Sequence, residues 1–164
     1  MDYPSDFLAV IGRTLSFEGG YVDDPDDPGG ATNFGISQRS YPDLDIKHLT
    51  RDQAIAIYYR DRWPKYSQIR SEVRGKLFDL GVNAGDREAA IILQRACRSI
   101  TANLFPHEDG VIGPQTLNTV NSYSNPEALV CAIRSEAAGH YRVLVAEKSS
   151  RAKYVDGWLR RAYS

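Results

Sequence analysis

The sequence predicts a mainly α protein with at most one small β-hairpin. Three observations carry this. Apolar residues recur at helical spacing through most of the chain, and clusters of Pro, Gly, Asn and Asp separate those segments. No stretch alternates apolar and polar residues long enough to build a sheet. With 164 residues the chain suffices for one domain or two small lobes with a core of their own.

The first helix is expected from Ser5 or Asp6 to Phe17, with Phe7, Leu8, Ile11 and Leu15 as its apolar stripe. Gly19 and Gly20 supply the stop signal, which puts Glu18 at the helix's last turn. A rigid loop follows, with Asp23, Asp24, Asp26 and Asp27 set between prolines and glycines. Tyr21-Val22 and Phe34-Gly35-Ile36 are the segments able to pair across this loop as a hairpin, and Ser37 to Ser40 reads as a helical turn.

Thr50 and Gln53 have the form of a capping box, opening a helix that ends near Trp63-Pro64. The next helix spans about Ser71 to Val82, and its Asp79 and Asn83, four residues apart, share a face. They read either as a hydrogen-bonding pair or as cleft residues. Asp86 is placed to cap a helix from Arg87 to about Ser99. The Asp109-Gly110 turn and Pro114 begin a helix to about Tyr123. Asn125-Pro126 opens the longest helix, to about Glu147, with Leu129, Ile133, Ala137, Tyr141 and Leu144 at helical spacing. A last helix, about Ala152 to Tyr163, carries Trp158 and a run of basic residues.

Twenty Lys and Arg stand against 21 Asp and Glu, a net charge of -1, which argues against a dedicated nucleic-acid binder. The basic residues after Lys148 read as a solvated helix face or as an attraction to an anionic polymer. No apolar run approaches the roughly 20 residues of a membrane span. The N-terminus lacks the pattern of a signal peptide, so the chain is expected to be made in the cytoplasm and to need another route to any work outside. Cys97 and Cys131 both have apolar neighbours and read as buried free thiols. The three histidines show no metal-ligand spacing, and no cofactor is expected. No heptads suggest assembly, so a monomer is expected.

The chemistry concentrates at Glu18. A carboxyl at a helix C-terminus faces the negative pole of the macrodipole, and apolar neighbours such as Phe17 and Tyr21 remove water from it. Those are the surroundings of a general acid. The alternative is a surface charge, which leaves the adjoining Gly-Gly, aromatic and acidic loop without a reason. For Asp23 and Asp26, capping and turn chemistry is the preferred reading.

The stretch FEGGYVDDPDDPGGATNFGIS, Phe17 to Ser37, closely resembles the signature of glycoside hydrolase family 108, N-acetylmuramidases that cleave peptidoglycan in phage lysis and in secretion by bacteria. The resemblance extends through DQAIAIYY, FDLGVNAG, LQRA, DGVIGPQT and GWL, nearly the whole chain. It implies a lysozyme-like fold of the α+β superfamily with a helical peptidoglycan-binding C-terminal half. The division expected is a catalytic lobe over residues 1–85 and a binding lobe over 86–164. Glu18 maps onto the family's catalytic acid. Asp27 follows Glu18 after eight residues, the interval found in common phage lysozymes, and is the expected second carboxylate, with Asp24 behind it. Thr32 follows after four residues where those enzymes have five, and reads either as a water-positioning residue or as one that holds the turn. Tyr21, Asn33 and Phe34 are placed to touch a glycan, with Asp79, Asn83, Tyr141 and Trp158 as further substrate contacts, although the spacing of Tyr141 and Trp158 favours core packing. Tyr58, Tyr59 and Trp63 serve either a sugar cleft or the core. The implied partner is a peptidoglycan strand, and the implied reaction hydrolyses the bond between N-acetylmuramic acid and N-acetylglucosamine. The other readings are a wall-binding module and a lytic transglycosylase.

Overall fold

A computed structural model describes residues 2–23, 30–102 and 106–164. It is mainly helical: α1 is Ser5–Phe17, α2 Arg51–Asp61, α3 Ser71–Ala84, α4 Asp86–Thr101, α5 Pro114–Ser122, α6 Pro126–Glu147 and α7 Val155–Tyr163. Among the described residues there is one sheet, the antiparallel pair β1 (Thr32–Asn33) and β2 (Ile36–Ser37). The helices begin and end where caps and breakers direct. Thr50 and Gln53 form the reciprocal capping box of α2. The Asn125 side chain accepts from the Ala128 N–H at the start of α6, ahead of Pro126.

The chain divides into two compact units, Met1–Ser67 and Gln68–Ser164. In the first, the apolar stripe of α1 is buried at Phe7, Val10, Ile11 and Leu15. An aromatic cluster joins α1 to the α2 region. Phe7 lies 5.1 Å from both Tyr59 and Trp63, centroid to centroid, and Tyr3 lies 4.9 Å from Tyr59. Tyr58 and Trp63 are buried, so both serve the core of this unit. Each such aromatic adds area burial and edge-to-face attraction of about 0.5–1.5 kcal/mol per pair.

In the second unit α6 packs on α3, α4 and α7, and α4 also packs on α3 and α5. Its core is Val73, Leu77, Phe78, Ile92, Leu93, Leu129 and Ile133, all fully buried. Burial of one such side chain contributes roughly 1.5–3 kcal/mol. Two expectations are revised here. Ahead of α7, residues Ser149–Tyr154 form a 3-10 helix, so the α-helix begins at Val155 and not near Ala152. Cys97 is buried, but Cys131 is exposed. Cys131 stands two residues from Leu129 and from Ile133, off the stripe that the i, i+4 pattern buries. Burial pushes the Cys97 thiol up to about 12, which makes it chemically inert at neutral pH.

Candidate active site

The site is built in the first unit from the end of α1, the hairpin and α2. Helix α1 stops at Phe17. Glu18 is its C-cap: it takes an extended conformation while its N–H still donates to the Thr14 carbonyl at 3.2 Å. The carboxylate-bearing residue thus leaves the helix at its negative end, one residue later than a place within the last turn. It is half-buried.

The chain then runs to Val22, which exchanges two backbone hydrogen bonds of 2.8 Å with Thr32. This bridge closes the base of the acidic loop. The hairpin register differs from the expected one. Val22 faces Thr32, and Thr32 and Asn33 pair with Ser37 and Ile36, so Phe34 and Gly35 form the turn and not a strand. Both turn residues have positive φ, 52° and 74°, the signature of a type I′ connection that matches strand twist. For Phe34 this conformation costs roughly 1–2 kcal/mol, so the surroundings must hold it.

They do so from two sides. Asn33 is buried, and its side-chain amide donates to the carbonyls of Ile46 (3.0 Å) and Leu49 (3.4 Å), tying the hairpin to the turn before α2. The Tyr58 hydroxyl, on α2, donates to the Phe34 carbonyl at 3.0 Å. Gly35 then passes directly by the glutamate. A Cβ there would lie 2.6 Å from Glu18 Oε2, 3.1 Å from its Cδ and 2.8 Å from the Tyr58 hydroxyl. Only glycine supplies both the positive φ and the room.

The remaining candidates are distributed as follows. Tyr21 is partly exposed beside Glu18, and its hydroxyl donates to Asp23 at 3.1 Å. Lost hydration and that carboxylate raise the Tyr21 phenol above its usual range. The Thr32 hydroxyl donates to the Gly30 carbonyl at 3.4 Å. Phe34 is half-buried at the hairpin tip. Asp24, Asp26 and Asp27 lie outside the described residues.

Asp79, Asn83, Tyr141 and Trp158 belong to the second unit. Asp79 is 1% exposed and paired with Arg161, 4% exposed, through contacts of 3.1 and 3.2 Å that link α3 to α7. Asn83 accepts from the Tyr141 hydroxyl, and Tyr141 stacks on half-buried Trp158 at 5.5 Å. Asp79 and Asn83 share a helix face but answer different partners. Arg161 is thereby withdrawn from the basic run, while Lys153 lies over the exposed Tyr154 ring at 4.8 Å.

The loop before α5 is organised by buried Gln94. Its amide donates to Asp109 (2.7 Å), the Val111 carbonyl (3.0 Å) and the Thr116 hydroxyl (3.3 Å), and its oxygen accepts from the Gly110 N–H. These bonds, with one from the Val111 N–H, hold the Asp109 carboxyl below the ordinary carboxylate range. Among the described residues no group of three His, Cys, Asp or Glu side chains is arranged to hold a metal, and no helix is long and apolar enough to cross a membrane.

Sequence reasoning placed Glu18 at the site but missed the walls that confine it. Gly35 carried a readable signal, as the second residue of a two-residue hairpin turn. Tyr58 stood open between a sugar cleft and the core, and its approach to the hairpin, being tertiary, carried no local signal.

Residues 11–85 match the family described as glycosyl hydrolase 108, and residues 88–163 match the family described as a predicted peptidoglycan domain. Among solved structures, SagA from Brucella abortus superposes with a TM-score of 0.69 at 26% identity, over 96% of this chain and 93% of that one. Comparison with curated proteins returned no match. The family boundary at residues 85–88 and the division of the fold after Ser67 differ by one helix, α3, which packs in the second unit. Residues 11–85 thus carry the glycosyl hydrolase 108 family match and residues 88–163 the peptidoglycan-domain match, and together they make the chain a glycoside hydrolase acting on peptidoglycan.

Proposed function

We propose that the chain is an N-acetylmuramidase that hydrolyses the β-1,4 bond between N-acetylmuramic acid and N-acetylglucosamine, with Glu18 as general acid. The observation that carries the reading is the position of Glu18. It is a half-buried carboxyl at the negative end of α1, confined by a strained hairpin turn that leaves no room for a side chain at Gly35. Exposed Phe17, Tyr21 and Val22 beside it offer apolar surface to a sugar ring.

In this mechanism the Glu18 O–H gives its proton to the glycosidic oxygen as the bond from that oxygen to C1 breaks. The positive charge that develops at C1 needs a carboxylate, which we assign to Asp27, with Asp24 behind it. Water, which we assign Thr32 to orient, adds to C1 and loses one proton to a site carboxylate, so that Glu18 ends protonated again and the hydrolysis balances. We assign residues 86–164 to retention on the wall, with half-buried Trp158 contributing surface while Tyr141, 2% exposed, packs beneath it, and the first 85 residues to catalysis. The site of action is the wall, reached by export or by holin-mediated release as in phage endolysis, and the protein works as a monomer.

The products of digested sacculi test this assignment. Mass spectrometry should find muropeptides with reducing N-acetylmuramic acid ends. Reducing N-acetylglucosamine ends would move the cleaved bond. Anhydro-muramic ends would make the protein a lytic transglycosylase, and binding without new ends would leave only a wall-binding module.

A further inference from the structure

We propose that Tyr58 is a positioning residue for the candidate acid, acting through the Phe34–Gly35 turn. The inference rests on Glu18 being the acid. Three observations converge on it. The Tyr58 ring is 4% exposed, yet its hydroxyl reaches out of the core to donate to the Phe34 carbonyl at 3.0 Å. That carbonyl belongs to the turn residue with positive φ, the one least able to hold its conformation unaided. The next residue, Gly35, packs against both the Tyr58 hydroxyl and Glu18 Oε2, with both oxygens under 3 Å from the point where its Cβ would stand. A shift of this turn by a few tenths of an ångström therefore moves the wall of the carboxyl.

The hydrogen-bond chemistry points the same way. A carbonyl only accepts, so the bond to Phe34 depends on the phenolic proton of Tyr58. Removing the oxygen leaves the phenyl ring in the core and the helix intact. It frees the turn to relax toward an ordinary conformation and so to drift against Glu18. A displaced acid is costly because proton transfer requires hydrogen-bond reach to the leaving oxygen. The role thus separates from core packing, which the ring alone supplies.

The test is Tyr58→Phe in the full-length protein, with kinetics on purified sacculi and thermal unfolding in parallel. The expected result is a kcat lowered about 10- to 100-fold, with KM within about twofold and cooperative unfolding retained. Tyr58→Leu, which also removes the ring, should lower the unfolding temperature as well, so the two losses are separable. Wild-type kcat in Tyr58→Phe overturns the inference. So does a loss confined to KM or to thermal stability. Glu18→Gln serves as the control. If that variant keeps full activity, the acid assignment falls. If it is inactive while Tyr58→Phe is unimpaired, only the role of Tyr58 falls.

Discussion

Buried polar groups brace different things in the two units. In the second unit they tie helices and a loop to one another. Asp79 meets Arg161, Lys76 donates to the Arg161 carbonyl at 2.6 Å, and Gln94 ties Asp109, Gly110 and Val111 of the loop before α5 to Thr116 within it. In the first unit buried Asn33 and Tyr58 spend their donors on backbone carbonyls, and what they brace is a strained turn against a half-buried carboxyl. Satisfied polar networks specify a core. Strain held beside a carboxyl is what a pre-organised site would store. The contrast can be tested by asking which of these residues affect stability and which affect hydrolysis.

Asp79 offers the largest effect on stability. Substitution Asp79→Ala leaves Arg161 charged and buried, and should destabilise the protein by about 3–5 kcal/mol in denaturant unfolding. Hydrolysis per folded molecule should remain within a few-fold of wild type. A stable Asp79→Ala protein that has lost hydrolysis would instead return Asp79 to the substrate-binding set.

Gly35→Ala comes next and should show the reverse pattern. The Cβ meets Glu18 Oε2 at 2.6 Å in a backbone conformation that costs alanine roughly 1–2 kcal/mol. We expect a kcat loss of about 10- to 100-fold, larger than the stability loss alone would produce. Equal kcat in Gly35→Ala and wild type would show that the turn does not confine the acid.

The smallest effect concerns Asp109. Its bonds from Gln94 and Val111 lower its carboxyl pKa in the folded state, so the stabilisation is full above the unfolded value near 3.8 and is lost as pH falls through the lower folded one. Asp109→Asn keeps the shape and an acceptor but removes the charge. Thermal unfolding should therefore place it below wild type at pH 7, with the gap closing as the pH drops below about 3.8. A constant gap would mean that shape, not charge, is what Asp109 contributes.

Much of the helical architecture was legible because it rests on local rules. The Thr50–Gln53 box, the Asn125 cap and the i, i+4 stripe of α6 each need only a few neighbouring residues. The hairpin was misregistered because strands of two residues carry no periodicity, and because a phenylalanine at positive φ contradicts turn preference. The roles of Asp79 and Asn83 were illegible for a different reason. Their partners lie 82 and 58 residues away, beyond any local pattern. Glu18 stood out because its helix end, its glycines and the acidic loop are all contiguous. The bracing by Asn33 and Tyr58 did not, since it exists only after folding.

Glu18→Gln measures the central claim most directly. The substitution is nearly isosteric and removes the proton to be donated. Release of reducing ends from sacculi should fall by about 10²- to 10⁴-fold, with the unfolding temperature and sacculus binding unchanged. A folded Glu18→Gln protein that releases muropeptides at the wild-type rate would contradict the account.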